Sequence, residues 1–428
     1  MRNKVTISKT LILIMSSFTV ISLWFFSNFL FSISNKKNLE FIPENALIKV
    51  RINGKSLIGK SIENICIDNN DIKLLSQLDT LIQQTLRTDI ENTGIDFLSE
   101  IGAYVIENNN KPTLFITLNL EDNDLFCQFA KKSNLQKYLV NRSSNVAVIQ
   151  FDFEQNDKNL ITQTLQTKQY HKFSKEDFKN DITISGINLA KKPLFKINGN
   201  INKDKIVITG KLNQKLTKTT QKYSLIKSGF HLTINEYFTN NYISEFLKNT
   251  SNYKNQLNRI EFNYRGLALT EGGNPYYAEP DFELLISYNK EVNKDSALTF
   301  LNKFNEFGIK YLNGNLSMGN SNFYIKTLDK NQLFIGKNSS NLANKQNFNS
   351  IEIIGSPELL TKIKAPEYIT SFFEMMTPFA ASKSYLSSIK NIDFSIHDYN
   401  IKTEVNFKKD KNAFQESFKA FLILKGIQ

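Results

Sequence analysis

No charged residue occurs between Thr10 and Ser34, where the chain reads TLILIMSSFTVISLWFFSNFLFSIS. As a helix this stretch is about 37 Å long, enough to cross a hydrocarbon layer of about 30 Å with some tilt. Arg2, Lys4 and Lys9 precede it, and Lys36 and Lys37 follow. The positive-inside rule then leaves residues 1–9 as a cytoplasmic tail. The alternative is a cleaved signal peptide, with Ser32 and Ser34 as the small residues before the cut. The run is longer than a usual signal core, and no Ala-x-Ala pattern closes it. Residues 10–34 therefore read as an uncleaved transmembrane signal-anchor. No cysteine follows closely, which argues against a lipid-modified anchor.

An anchor of this kind exports everything after it, and that restricts the chemistry available. At 428 residues the chain exceeds one small domain, and 41% hydrophobic with 22% charged residues is a globular balance. Cys66 and Cys127 are the two cysteines. An oxidising compartment permits a bridge between them, and two buried thiols explain them equally well. The net charge of +12 is concentrated: residues 151–228 hold lysines in clear excess over acids and no arginine. Such a face suits anionic headgroups or polymers, while solvated lysines on strand edges and turns are the plainer explanation. Nucleic acid is disfavoured by export and by the missing guanidinium groups.

The exported part reads twice in the same order. Ile48, Val50 and Ile52 alternate with Lys49, Arg51 and Asn53 as in a half-buried strand. A helix follows, then a hairpin with Leu114, Ile116 and Leu118 on one side, a short helix around Phe126, and a second hairpin. About 185 residues later, Phe230, Leu232 and Ile234 open a similar series. It ends on NAFQESFKAFLIL, a helix with Phe414, Phe418 and Phe421 on one face. Strands joined by short turns imply antiparallel sheets, so the fold class is α+β: two similar halves of antiparallel sheet with helices on one face. The expected division is 41–218 and 229–428, with a polar linker at 219–228.

NGKSLIGKS, residues 53–61, places Gly54, Gly59, Lys60 and Ser61 at the spacing of a phosphate-binding loop. The preceding strand alternates instead of being continuously apolar, as a buried parallel strand would be. No matching residues recur in the second half, and export removes the ATP pool. Asn53 or Ser56 as a helix cap, with Leu57, Ile58 and Ile62 as a buried face, explains the segment better. A nucleotide site at 54–61 is the remote alternative.

No catalytic, cofactor-binding or metal-ligating residues are assigned. His171, His231 and His397 stand apart without zinc spacing. Glu279, Asp281 and Glu283 are ordinary acids near a turn. Two stretches suit a contact surface: Tyr276 and Tyr277 in a long hairpin loop, and Met375, Met376 and Phe379 in an apolar helix. Core packing is the plainer explanation of the methionines.

The anchor, the opening Pro43-Glu44-Asn45-Ala46 and TGIDFLSEIGAYV at 93–105 resemble membrane-anchored envelope proteins of Gram-negative bacteria whose activity is unassigned. The resemblance implies a single-pass inner-membrane protein with its bulk in the periplasm, and it lends no functional residues. The expectation is a non-enzymatic binding or scaffold protein without cofactor. Its partner would be an envelope protein, an anionic polymer or a lipid. A periplasmic carrier of hydrophobic cargo is the alternative.

Overall fold

The computed structural model describes residues 36–63, 90–108, 111–143, 145–151, 170–188, 190–213, 220–235, 257–269, 278–291, 293, 309–312, 315–318, 321–337, 342–347, 351–360, 363–364 and 385–424. The segment 10–34 lies outside these residues, as does Cys66. Among the described residues no helix is long and apolar enough to cross a membrane.

The fold is α+β, dominated by antiparallel sheet. Its strands are β1 (Ile48–Asn53), β2 (Glu100–Asn108), β3 (Lys111–Asn119), β4 (Leu139–Ser143), β5 (Val146–Phe151), β6 (Ile182–Ile187), β7 (Pro193–Ile201) and β8 (Lys205–Leu212) in the first half. Next come β9 (Thr220–Leu225), β10 (Phe230–Asn235), β11 (Leu257–Leu269), β12 (Ala278–Tyr288), β13 (Ile309–Leu312) and β14 (Asn315–Met318). The rest are β15 (Ser321–Asp329), β16 (Gln332–Gly336), β17 (Leu342–Asn347), β18 (Ile351–Gly355), β19 (Ile363–Lys364), β20 (Ile389–His397) and β21 (Asn400–Phe407). Among the described residues three α-helices join them: α1 (Gly54–Ile62), α2 (Asn123–Lys132) and α3 (Ala413–Leu424).

Pairing in the first half runs β4-β5-β3-β2-β1-β6-β7-β8. In the second half it runs β15-β16-β12-β11-β10-β18-β20-β21. The order is the same in both. The edge strands β8 and β21 then pair antiparallel with each other, making one 19-stranded sheet. Register at this joint is self-consistent. Exchanging equivalent positions turns the pair Lys211–Asn400 into Glu404–Val207, also a pair, and leaves Thr209 opposite Lys402 on the axis. The segment expected as a polar linker carries β9, which pairs with β17 in a separate two-stranded sheet.

Strand alternation is as the sequence reads, but burial falls on the opposite side. On β1 the most buried residues are Lys49 and Arg51, whereas Ile48 is 38% exposed. On β10 they are His231, Thr233 and Asn235. On β3 they are Thr113, Phe115, Thr117 and Asn119, and Leu114 on the other side is 40% exposed. The reason is that short segments outside the main sheet roof the polar face. Leu39 and Ile42 lie against Tyr104 and Phe115 in the first half. In the second half, Ser224 and the Leu225 amide of β9 donate to the Glu261 carboxylate on β11. Arg51 and Glu100 form a buried ion pair beneath the first roof. The Arg51 guanidinium meets Glu100 at 2.8 Å and donates to the Asp177 and Asn180 carbonyls.

The apolar face carries the described helices in part. Phe126, Phe129 and Ala130 of α2 pack against Leu118, Ala147 and Ile149. At the start of α3, Ala413 packs with Ile389 and Phe407, and Ile206 of the first half joins that cluster.

Candidate functional site

A cleft of about 780 Å³ opens at the ends of β1, β6, β7 and β8, lined by Lys49, His171, Ser185, Lys191, Lys196 and Lys211 among others. Register explains why so many lysines meet there. In an antiparallel sheet, directly opposed residues project from the same face. Lys49 of β1 opposes Ser185 of β6, Ser185 opposes Lys196 of β7, and Lys196 opposes Lys211 of β8. One transverse row across four strands thus holds three ammonium groups and a hydroxyl. The corresponding row of the second half reads His231, Ile354, Asp393 and Glu404. The basic row is therefore no requirement of the strand arrangement itself.

Lys49 is the unusual member. Its residue surface is 2% exposed, yet among the described residues its ammonium donates no hydrogen bond and forms no ion pair. Burial pushes its pKa down, and the Glu44 carboxylate pulls it only part of the way back. Next to it, the Ser185 hydroxyl is buried and has no hydrogen-bond partner among the described residues. Two adjacent polar groups thus lack the partners that buried groups ordinarily have.

The surroundings keep the cleft positive. Lys196 is held at 2.5 Å by Asp177, whose second carboxylate oxygen accepts from the Ser174 amide and hydroxyl. Burial raises the Asp177 carboxyl pKa, and the Lys196 and Ser174 contacts outweigh it, leaving a net lowering. Lys191 and Lys211 reach the cleft with exposed side chains and no ion pair among the described residues. Burial and then the Lys49 charge lower the His171 pKa to about 4, so this imidazole is neutral at pH 7. Glu44 and Asn45, from the opening Pro43–Ala46, also line the cleft.

The arrangement suits a small anionic group. A phosphate, sulfate or carboxylate would give Lys49 and Ser185 acceptors, while His171 could donate without adding charge. Lys191, Lys196 and Lys211 belong to the lysine-rich stretch 151–228, and they are drawn together with Lys49 from far upstream. Lys49 and Ser185 carry no local motif. Only the long-range register of β1 with β6 places them side by side.

The remaining candidates fall elsewhere. Tyr276, Tyr277, Met375, Met376 and Phe379 lie outside the described residues. Residues 54–61 form the body of α1, not a loop. Asn53 Oδ1 accepts from the Ser56 amide as a cap, Lys60 pairs with Asp181 at 2.6 Å, and Ser61 donates to the Leu57 carbonyl. β1, which precedes it, is antiparallel to both neighbours, so nothing here wraps a nucleotide phosphate. His231 is held between Asn263 and Thr233. His397 sits at an exposed hairpin end. Asp281 and Glu283 both pair with Arg265. Among the described residues no cluster of three or more His, Cys, Asp or Glu could hold a metal ion.

No protein-family model matches the chain, and no curated protein matches it. Among solved structures, crystal form I of TP0453 is similar over 72% of this chain and 93% of that one, at 8% identity and a TM-score of 0.20. A likeness of that degree carries nothing over to the cleft.

Proposed function

We propose that the chain is a non-enzymatic binding protein, anchored in the inner membrane through residues 10–34 with its bulk in the periplasm. Its ligand carries a compact anionic group, and the cleft of Lys49, Ser185, Lys196 and Lys211 receives that group. One observation carries the reading: the buried residue Lys49 beside a buried Ser185 hydroxyl, neither side chain hydrogen-bonded among the described residues and both lining a cleft. A buried charge that lacks a partner is costly, and supplying one from a ligand recovers part of that cost.

The matching strand order of 41–218 and 229–428 and the symmetric β8–β21 joint favour an origin by duplication. On that reading the first copy keeps the anion site, and in the second Asp393 and Glu404 take the places of Lys196 and Lys211.

Calorimetric titration of the full chain with inorganic phosphate at low ionic strength tests the assignment. Lys49→Met should weaken binding at least tenfold, whereas Lys402→Met, an exposed lysine (58%) on the central strand β21, should not change it. Equal effects of the two substitutions, or no phosphate binding by the unaltered chain, would refute it.

A further inference from the structure

The cleft is far larger than one compact anion needs. Its volume of about 780 Å³ falls in the range that holds a small organic molecule, roughly 300–1,000 Å³. An inorganic phosphate displaces only a few water volumes of about 30 Å³ each. The charges are also spread out. Neighbours along the row Lys49, Ser185, Lys196 and Lys211 are one strand apart, so the Cα atoms of Lys49 and Lys211 are separated by about 14 Å. That row is not uniformly cationic. Lys196, inside it, is held at 2.5 Å by Asp177, which leaves the position close to neutral. At one end the Lys49 ammonium has no hydrogen bond or ion pair among the described residues, and at the other Lys211 has no ion pair among them. Around these two poles the lining supplies neutral hydrogen-bonding groups: the Ser185 hydroxyl, the uncharged His171 imidazole, Asn45 and Asn213. Such groups donate as well as accept, which suits the hydroxyls of a polar body. Glu44 tempers the Lys49 end, so an anionic group seated there gains from a second anchor.

We infer that the ligand is a polyol or sugar bearing two anionic groups, one against Lys49 and Ser185 and the other against Lys211, with its hydroxylated middle over the Lys196–Asp177 pair. This rests on the anion site proposed above and adds the number of anions, their spacing and the body that joins them. The ion pair explains the gap between the two anions, because a third anionic group there would meet a lysine whose charge Asp177 already offsets. Linking the two groups in one molecule makes the second contact intramolecular, so affinity depends on whether the linker spans the two lysines.

The test is calorimetric titration of the full chain at low ionic strength with inorganic phosphate, pyrophosphate, mannitol 1-phosphate and mannitol 1,6-bisphosphate. Nine bonds separate the phosphorus atoms of the extended bisphosphate, about 11 Å at about 1.2 Å per bond. Pyrophosphate carries comparable charge without that reach. The bisphosphate should bind roughly tenfold or more tightly than the monophosphate, and more tightly than pyrophosphate. In Lys211→Met the ratio of bisphosphate to monophosphate affinity should fall to about two, the statistical advantage of two equivalent ends. A bisphosphate no tighter than the monophosphate refutes the two-anion ligand and leaves the anion site standing. Equal affinity for pyrophosphate and the bisphosphate does the same, since charge alone then explains binding. So does a Lys211→Met protein that keeps the full ratio. Failure of all four probes overturns both readings.

Discussion

Replacing Lys49 with methionine should make the protein more stable and its ligand affinity lower, a combination that a merely structural lysine cannot give. Methionine keeps a stem of similar length and removes the ammonium. In the free protein the Lys49 residue surface is 2% exposed and its ammonium has no hydrogen bond or ion pair among the described residues, so its charge is partly desolvated, with Glu44 nearby in partial compensation. Exchanging buried ionic groups for apolar ones of similar volume is often neutral or stabilising, by about 1–4 kcal/mol. With no ion pair to forfeit, we expect a gain of about 1–3 kcal/mol, read as a higher urea midpoint at unchanged slope. The gain depends on pH in a fixed direction. The folded pKa of Lys49 is lowered, so the unfolded chain binds more protons between that value and the ordinary lysine value near 10.4. Stability of the unaltered protein therefore rises with pH through that window, and the advantage of methionine shrinks there. Below the window the advantage is complete. Binding moves oppositely: losing one charge-assisted hydrogen bond costs about 1.5–3 kcal/mol, roughly 10- to 150-fold in affinity. A destabilised Lys49→Met protein that still binds phosphate would refute the reasoning.

Three further outcomes follow from the same geometry. Arg51→Met removes the guanidinium that meets Glu100 at 2.8 Å and the two carbonyls of the 177–180 segment, and should cost about 3–5 kcal/mol in chemical denaturation; adding Glu100→Gln should recover part of that loss. His171, with its pKa lowered to about 4 against an ordinary 6.5, binds more protons unfolded than folded between those values, so stability falls as pH drops through that window. The loss should approach about 3 kcal/mol and be absent in His171→Asn, measured as urea midpoints at pH 7 and pH 4. Gly54→Ala would place a Cβ 2.2 Å from the Phe97 carbonyl oxygen, so it should lower the thermal midpoint even though alanine favours helices, at a cost of about 1–3 kcal/mol.

Much of the local structure is legible in the sequence. The strand at 48–53, the Asn53 cap and the helix after it follow from alternation and capping chemistry. So do the hairpins at β2–β3 and β11–β12 and the closing helix at 413–424. Burial was less legible. Alternation of Ile48, Val50 and Ile52 identifies a strand and its two faces, but not which face is roofed. The roof comes from Leu39, Ile42 and the segment around Asp177, all distant in sequence. At the start of α3 the buried residues are Ala413, Gln415 and Glu416 together with the preceding Asn412, while Phe414 is half-buried. The cleft was legible least of all. A surplus of lysines is visible between 151 and 228, yet Lys49 lies far outside that stretch, and its partner row depends on three strand registers that no local pattern encodes. The contact residues favoured by composition, aromatic pairs and methionines, stand apart from that row in sequence.

The central claim concerns one ammonium, and nitrogen NMR of the Lys49 side chain, titrated with and without phosphate, examines it directly. The account predicts a Lys49 pKa below the ordinary lysine value in the free protein, rising on saturation with phosphate as the anion supplies the missing partner. An unchanged titration in the presence of phosphate would contradict it.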